Sequence, residues 1–173
     1  MPERQHLYAS TDELGQVFNF EFAEANWDVD AMRAAIFVGL RSAEKAHDST
    51  TTWVMSNHDV PRHVSRYGLP RVPASSHHQL AKDWLLRDGT SYFEDRELGT
   101  KRARAAILME LSLPGSVYIY QGEELGLPEV ADILWDRLED PTPVLHPRTV
   151  HRKGSRRLPR ASAVGRRRRA CTR

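Results

Sequence analysis

The stretch Thr52-Trp53-Val54-Met55-Ser56-Asn57-His58-Asp59-Val60-Pro61-Arg62-His63 decides how the rest of the chain is read. It opens as a short apolar run of strand-forming residues, Trp53, Val54 and Met55, and stops at four successive polar residues, Ser56 to Asp59. Pro61 lacks the amide hydrogen that a continued ladder would need. Enzymes built on parallel strands present their chemistry at the carboxyl ends of those strands, so a His and an Asp delivered there are candidates for substrate contact. The plainer alternative is that Asn57 and Asp59 only close the strand through turn hydrogen bonds, as such side chains commonly do.

Working outward, Val17, Phe18, Phe20 and Phe22 alternate with polar Asn19 and Glu21, which predicts a short aromatic strand before it. Residues Met1 to Glu13 are polar with scattered apolar positions and read as a helix remnant and a turn. Asp28 or Asp30 is a suitable N-cap, and Met32, Ile36, Leu40 and Ala43 fall at helical spacing, predicting an amphipathic helix to about Ala46. The central strand is expected over Thr50–Ser56, apolar on both faces because both are covered in a parallel sheet. Downstream, Val60 to Leu98 is far longer than an ordinary connection. Rich in Pro and His, with a turn or two of helix near Gln79–Leu86, it is expected to shape a substrate mouth. A second long helix is predicted over Leu98–Leu113, with Ala103, Ala106, Ile107, Glu110 and Leu111 marking a mostly apolar side and Pro114-Gly115 ending it. Val117–Tyr120 is then a strand, stopped by Gln121-Gly122-Glu123-Glu124. Strand, helix, strand, helix, strand is the order of a parallel α/β repeat.

Charge divides the chain. All 23 acidic residues and fourteen of the 25 basic ones lie in residues 1–140, a net of −9, whereas residues 141–173 hold eleven basic residues and no acid, a net of +11. The second part, rich in Arg, Pro, Ser and Ala with Arg166 to Arg169 in a continuous run, has too little apolar content to bury a core and is expected to be disordered. Such a tail suits a polyanion, but the acidic body argues against nucleic acid as a partner. A shifted reading frame in GC-rich DNA produces the same kind of text, and that origin is the preferred expectation. No run of 18 apolar residues is present, so no membrane partner is expected. Met1-Pro2-Glu3-Arg4 is not followed by a secretory core. Cys171 is the single cysteine and has no partner for an internal disulfide. A reducing, cytoplasmic setting is the default expectation.

Three segments carry a resemblance. Val54-Met55-Ser56-Asn57-His58-Asp59 is similar to the Asn-His-Asp motif of glycoside hydrolase family 13, the α-amylase and α-glucosidase family. Phe18-Asn19-Phe20-Glu21-Phe22 resembles the family's sixth barrel strand, and Leu113-Pro114-Gly115-Ser116-Val117-Tyr118-Ile119-Tyr120-Gln121-Gly122-Glu123-Glu124-Leu125-Gly126 resembles its eighth strand and following loop. The wording Gln79-Leu80-Ala81-Lys82-Asp83-Trp84-Leu85 and Tyr118 to Glu124 is similar to the bacterial α-glucosidase branch. The resemblance implies an α/β fold: the C-terminal part, about strands 6 to 8 with their helices, of a (β/α)8 TIM barrel. A whole barrel takes about 250 residues, and this chain has 173 with the similarity ending near Asp140. Residues 1–140 are thus expected to be a partial catalytic domain and 141–173 a disordered basic tail.

The implied chemistry is retaining hydrolysis of terminal α-linked glucose in malto- or isomalto-oligosaccharides, without a cofactor or metal. Retaining glycosidases use two carboxyl groups about 5 Å apart. In the family these stand on the fourth and fifth strands, which the resemblance places before Met1, so the chain alone is expected to be inactive. The third carboxylate falls on Asp59, a transition-state stabiliser gripping sugar hydroxyls, with His58 beside it as a second sugar contact and Arg62 as a further sugar or carboxylate partner. A transglycosylating relative of the sucrose or trehalose isomerase type is the alternative within the family. A non-catalytic protein, or a nucleic-acid binder acting through the Arg-rich tail, are alternatives outside it. Among other polar candidates, His77-His78 is expected to be solvated in a loop. Glu123-Glu124 is expected to be structural or mouth-lining, because strand neighbours face opposite ways. Phe18, Phe20 and Phe22 are expected in the core, with Tyr118 and Tyr120 as packing residues.

Overall fold

The computed structural model describes residues 18–45, 50–134 and Arg137. The strand expected over Val17–Phe22 is largely a helix: only Phe18 pairs, in an isolated parallel bridge to Thr52, and α1 spans Phe20–Ala23. Asn19 causes the switch. Its Oδ1 accepts the Phe22 N–H at 3.1 Å, so the residue that alternation assigned to a strand face acts as an N-cap. The consequence is that Phe22 alone is core, at 0% exposure, while Phe18 and Phe20 stand 41% and 44% exposed.

Helix α2 runs Val29–Lys45, where the apolar spacing put it. Asp28 caps it, its Oδ1 receiving the N–H groups of Asp30 and Ala31. The Ala31 bond first, then Arg71 at 2.8 Å from the other oxygen, hold the Asp28 carboxyl below the usual carboxylate range. Strand β1 is Thr52–Trp53, shorter than expected, although Thr51 to Ser56 are all buried. The long excursion then holds two helices, α3 at His63–Gly68 and α4 at His77–Leu86, the latter capped by Ser76. Helix α5 spans Arg96–Leu111, capped by Asp95, and β2 is Ser116–Val117.

Strand β1 pairs with β2 in parallel, Thr52 opposite Ser116 and Trp53 opposite Val117. With Phe18 bridging Thr52 on the other side, three chain segments lie side by side in sequence order and in one direction. The order matches the expected parallel α/β repeat in part: two short strands pair, and the first segment contributes a single bridging residue rather than a strand. Trp53 anchors its centre: it is fully buried, meets the Phe22 ring edge-on at 5.0 Å, and donates its indole N–H to the Pro114 carbonyl at 2.8 Å. Around it pack Met32, Ala35, Met55, Tyr67 and Ala106.

The excursion has its own smaller core. Leu69, Leu80, Ala81, Trp84 and Leu85 bury against Ala131, beyond β2. On the opposite side α4 is fastened to the turn after α1, where Asn26 Oδ1 accepts the His77 N–H at 2.7 Å and His78 Nε2 lies 3.5 Å from Glu24. The excursion therefore spans from the end of the first parallel segment to the end of the third, passing the end of the second. Helices α3 and α5 cross closely because Gly99 has no side chain; a Cβ there would collide with the Val64 carbonyl. Among the described residues no helix is long and apolar enough to cross a membrane. Expectations for Met1–Glu13 and for the tail 141–173 lie outside the described residues.

Candidate functional site

The carboxyl end of β1 leads into a loop built by one side chain. Asn57 Oδ1 accepts the N–H groups of both Asp59 and Val60, at 2.8 and 2.9 Å. This Asx turn lifts His58 and Asp59 to the surface, with side chains 72% and 65% exposed and His58 Nε2 3.3 Å from Asp59 Oδ2. So the turn-closing role and the presentation of a His–Asp pair are both realised, by different residues. Val60 and Pro61 are buried and pin the far side of the loop.

Arg62 does not share that surface. It is 2% exposed, and its guanidinium lies over the Tyr120 ring with Cζ 4.8 Å from the centroid. Gly122 makes room for it: a Cβ there would lie 3.3 Å from Nη1, and the residue has φ +89, conformationally accessible to glycine. None of the three guanidinium nitrogens has a hydrogen-bond partner among the described residues, whereas the Arg62 backbone N–H donates to Glu129 Oε2 at 3.2 Å. Of the three residues singled out for sugar contact, the structure groups His58 with Asp59 and places Arg62 beneath, stacked on the end of the third segment.

Sequence patterns did not reveal the buried polar layer below. His63 begins α3 with 1% exposure, and Ser56 Oγ lies 3.0 Å from its N–H and 2.9 Å from its Nδ1. The same Nδ1 is 3.1 Å from Glu123 Oε1, a close but poorly aligned electrostatic contact. Glu123 Oε2 accepts the Tyr120 N–H at 2.9 Å. Ser, His and Glu in sequence suggest a nucleophilic relay, but both oxygens approach the same ring nitrogen. A relay needs the acid on one nitrogen and the hydroxyl on the other, and Ser56 is fully buried. The trio is a structural joint. Ser56 and His63 are seven positions apart and carry no spacing signal; Glu123, expected to be structural or mouth-lining, is structural here but stands in a turn rather than on a strand.

Two more ionisable groups lie inside. Arg66 is fully buried and spans the first two segments, donating to the carbonyls of Ala23 and Met55, with burial lowering its basicity. Glu110 on α5 is 0% exposed with neither carboxyl oxygen hydrogen-bonded among the described residues. Burial, and the nearby Glu123 charge, push its pKa up to about 8, so it is protonated at neutral pH. His77 and His78 correct an expectation. They start a helix rather than sit in a solvated loop, both are buried, and desolvation brings each down to about 4. Neither belongs to a metal-binding group; among the described residues no cluster of three or more His, Cys, Asp or Glu could hold an ion. Tyr118, expected to pack, is 46% exposed and sits with Phe18 at a ring distance of 5.4 Å.

Known proteins are similar to this sequence. The chain is 29% identical over 124 residues, 71% of its length, to maltase 1 of Drosophila virilis. It is 35% identical over 96 residues, 56% of its length, to a probable alpha-glucosidase of Rhizobium meliloti. It is 28% identical over 135 residues, 72% of its length, to an oligo-1,6-glucosidase of Saccharomyces cerevisiae. The matched part is 15, 13 and 19% of those proteins, so the chain spans well under a quarter of each. No protein-family model matches it.

Proposed function

We propose, taking the relationship to α-glucosidases as the premise, that this chain forms the sugar-gripping sector of a retaining α-glucosidase barrel, about strands 6 to 8, acting on terminal α-linked glucose in oligosaccharides. The observation that carries the reading is the placement of Asp59: an exposed carboxylate on an Asx turn at the carboxyl end of the central parallel segment. Parallel α/β enzymes bind substrate at that end.

The chemistry follows from charge. Glycosidic cleavage passes through an oxocarbenium-like transition state, and an ionised carboxylate holding the adjacent hydroxyls binds that state more tightly than the ground state. Asp59 supplies the carboxylate, and His58 at 3.3 Å orients it and offers a second hydrogen-bonding edge to the same ring. In an assembled enzyme, losing such an interaction costs roughly 10² to 10³ in rate. The nucleophile and the single acid/base carboxyl belong, by the resemblance, to strands that no segment here matches. Turnover by this chain alone is therefore expected to be nil.

The test is a titration of the protein with maltose, followed by NMR at the His58, Asp59 and Val60 amides. Saturable shifts that weaken in Asp59→Asn are expected. Shifts unaffected by that substitution would refute the assignment, and hydrolysis of an aryl α-glucoside by the isolated chain would refute its inactivity.

A further inference from the structure

We infer that His63 is a positioning residue for Asp59: it closes the neck of the loop that presents the aspartate and ties that neck to the end of the third parallel segment. This rests on the sugar-contacting role of Asp59 proposed above.

Asp59 has little of its own to hold it. Its side chain is mostly exposed and, among the described residues, meets only His58, which stands on the same loop, so the direction of both is set by the loop backbone. That backbone runs from Asn57 to Arg62 between two buried residues, Ser56 at 0% and His63 at 1% exposure. At the neck the two residues meet twice. Ser56 Oγ accepts the His63 N–H at 3.0 Å, satisfying one of the unpaired donors at the start of α3 that Arg62, with no capping side chain, leaves open. The same oxygen lies 2.9 Å from His63 Nδ1. A short loop whose ends are joined by two hydrogen bonds has few conformations left to lose.

The third contact sets the loop in space. Glu123 Oε1 stands 3.1 Å from His63 Nδ1, and the other carboxylate oxygen holds the Tyr120 N–H, so the imidazole is coupled to the turn after β2. Both side chains are almost wholly buried, at 2% and 1% exposure, where an electrostatic contact is little screened. Arg62 adds a second tie for the same loop, its backbone N–H donating to Glu129 Oε2 at 3.2 Å, while its guanidinium meets Tyr120 without a hydrogen bond among the described residues.

The experiment compares maltose affinity by NMR titration in the wild-type chain, Asp59→Asn, His63→Val, Ser56→Ala and His63→Asn. The asparagine places an amide nitrogen where Nδ1 stands. Expected are a weaker complex in Asp59→Asn, a loss of about 5- to 10-fold in His63→Val and Ser56→Ala, and recovery to within about twofold in His63→Asn. Weakening in Asp59→Asn with wild-type affinity in both His63→Val and Ser56→Ala overturns the positioning role. Loss in His63→Asn as large as in His63→Val also overturns it, because general disruption of the core would do the same. If Asp59→Asn binds as the wild type does, or nothing binds, the sugar assignment fails instead. Amide exchange at Asp59 and Val60 then decides the joint: at least about tenfold faster exchange in Ser56→Ala is expected, and unchanged exchange overturns it.

Discussion

One oxygen of Asn26 receives the His77 backbone N–H at 2.7 Å and lies 3.3 Å from the same residue's Nδ1, joining the turn after α1 to the first residue of α4. The imidazole is otherwise enclosed: the Tyr67 ring stands edge-on at 6.0 Å, and Nε2 has no hydrogen-bond partner among the described residues. Burial first, then the charges of Arg66, Arg102 and Arg71, keep it neutral to about pH 4.

Acid should undo this joint. An unfolded histidine takes its proton near pH 6.5 and His77 only near 4, so the unfolded chain gains protons first and stability falls as pH drops through that window. His78 is similarly depressed, but its protonation would create an ion pair with Glu24 at 3.5 Å, offsetting part of the cost. Melting temperatures between pH 7 and 4 should fall less steeply in His77→Gln than in the wild type. Parallel curves would remove His77 as the cause.

Glu110 acts in the opposite direction. Its folded pKa of about 8 exceeds the ordinary 4.5, so the folded state resists ionisation and loses stability as pH rises across that range. Replacing this carboxyl, without a hydrogen-bond partner among the described residues, by leucine should stabilise the protein at pH 8 by about 1–3 kcal/mol. Chemical denaturation at pH 5 and 8 checks it: the gain should be larger at pH 8.

Gly99→Ala tests the α3–α5 crossing. Helix propensity favours alanine by about 1 kcal/mol. Against it stand a collision with the Val64 carbonyl and approaches of 3.1 Å to the Gly68 backbone, atoms that cannot swing away. Overpacking of this kind costs about 1–3 kcal/mol, so a net loss of melting temperature is expected; a rise would mean that the helices separate readily.

Phe18, Phe20 and Tyr118 form an exposed aromatic surface, with the Phe18 ring 6.2 Å from that of Phe20 and 5.4 Å from that of Tyr118. Unpaired strand edges and apolar patches favour association. Sedimentation velocity should show concentration-dependent self-association, reduced in Tyr118→Lys. A monomer at all concentrations would count against it.

The local sequence determined the two long helices and the loop at Asn57, and marked where the second and third segments run. Each depends on signals within a few residues: apolar spacing along α2, the Pro114-Gly115 stop, and an asparagine whose oxygen reaches amides two and three positions on. Even there, one capping bond from Asn19 overrode alternation and turned Phe20–Ala23 into helix.

Burial of the polar residues was decided by tertiary structure alone. Arg62 lies beside Tyr120 and Glu129, His63 meets Glu123, and His77 meets Asn26, pairs 51 to 67 positions apart. No periodicity within one element reports such a neighbour. Whether a histidine is solvated, neutral and enclosed, or held against a carboxylate depends on the dielectric and the partners that distant segments bring to it.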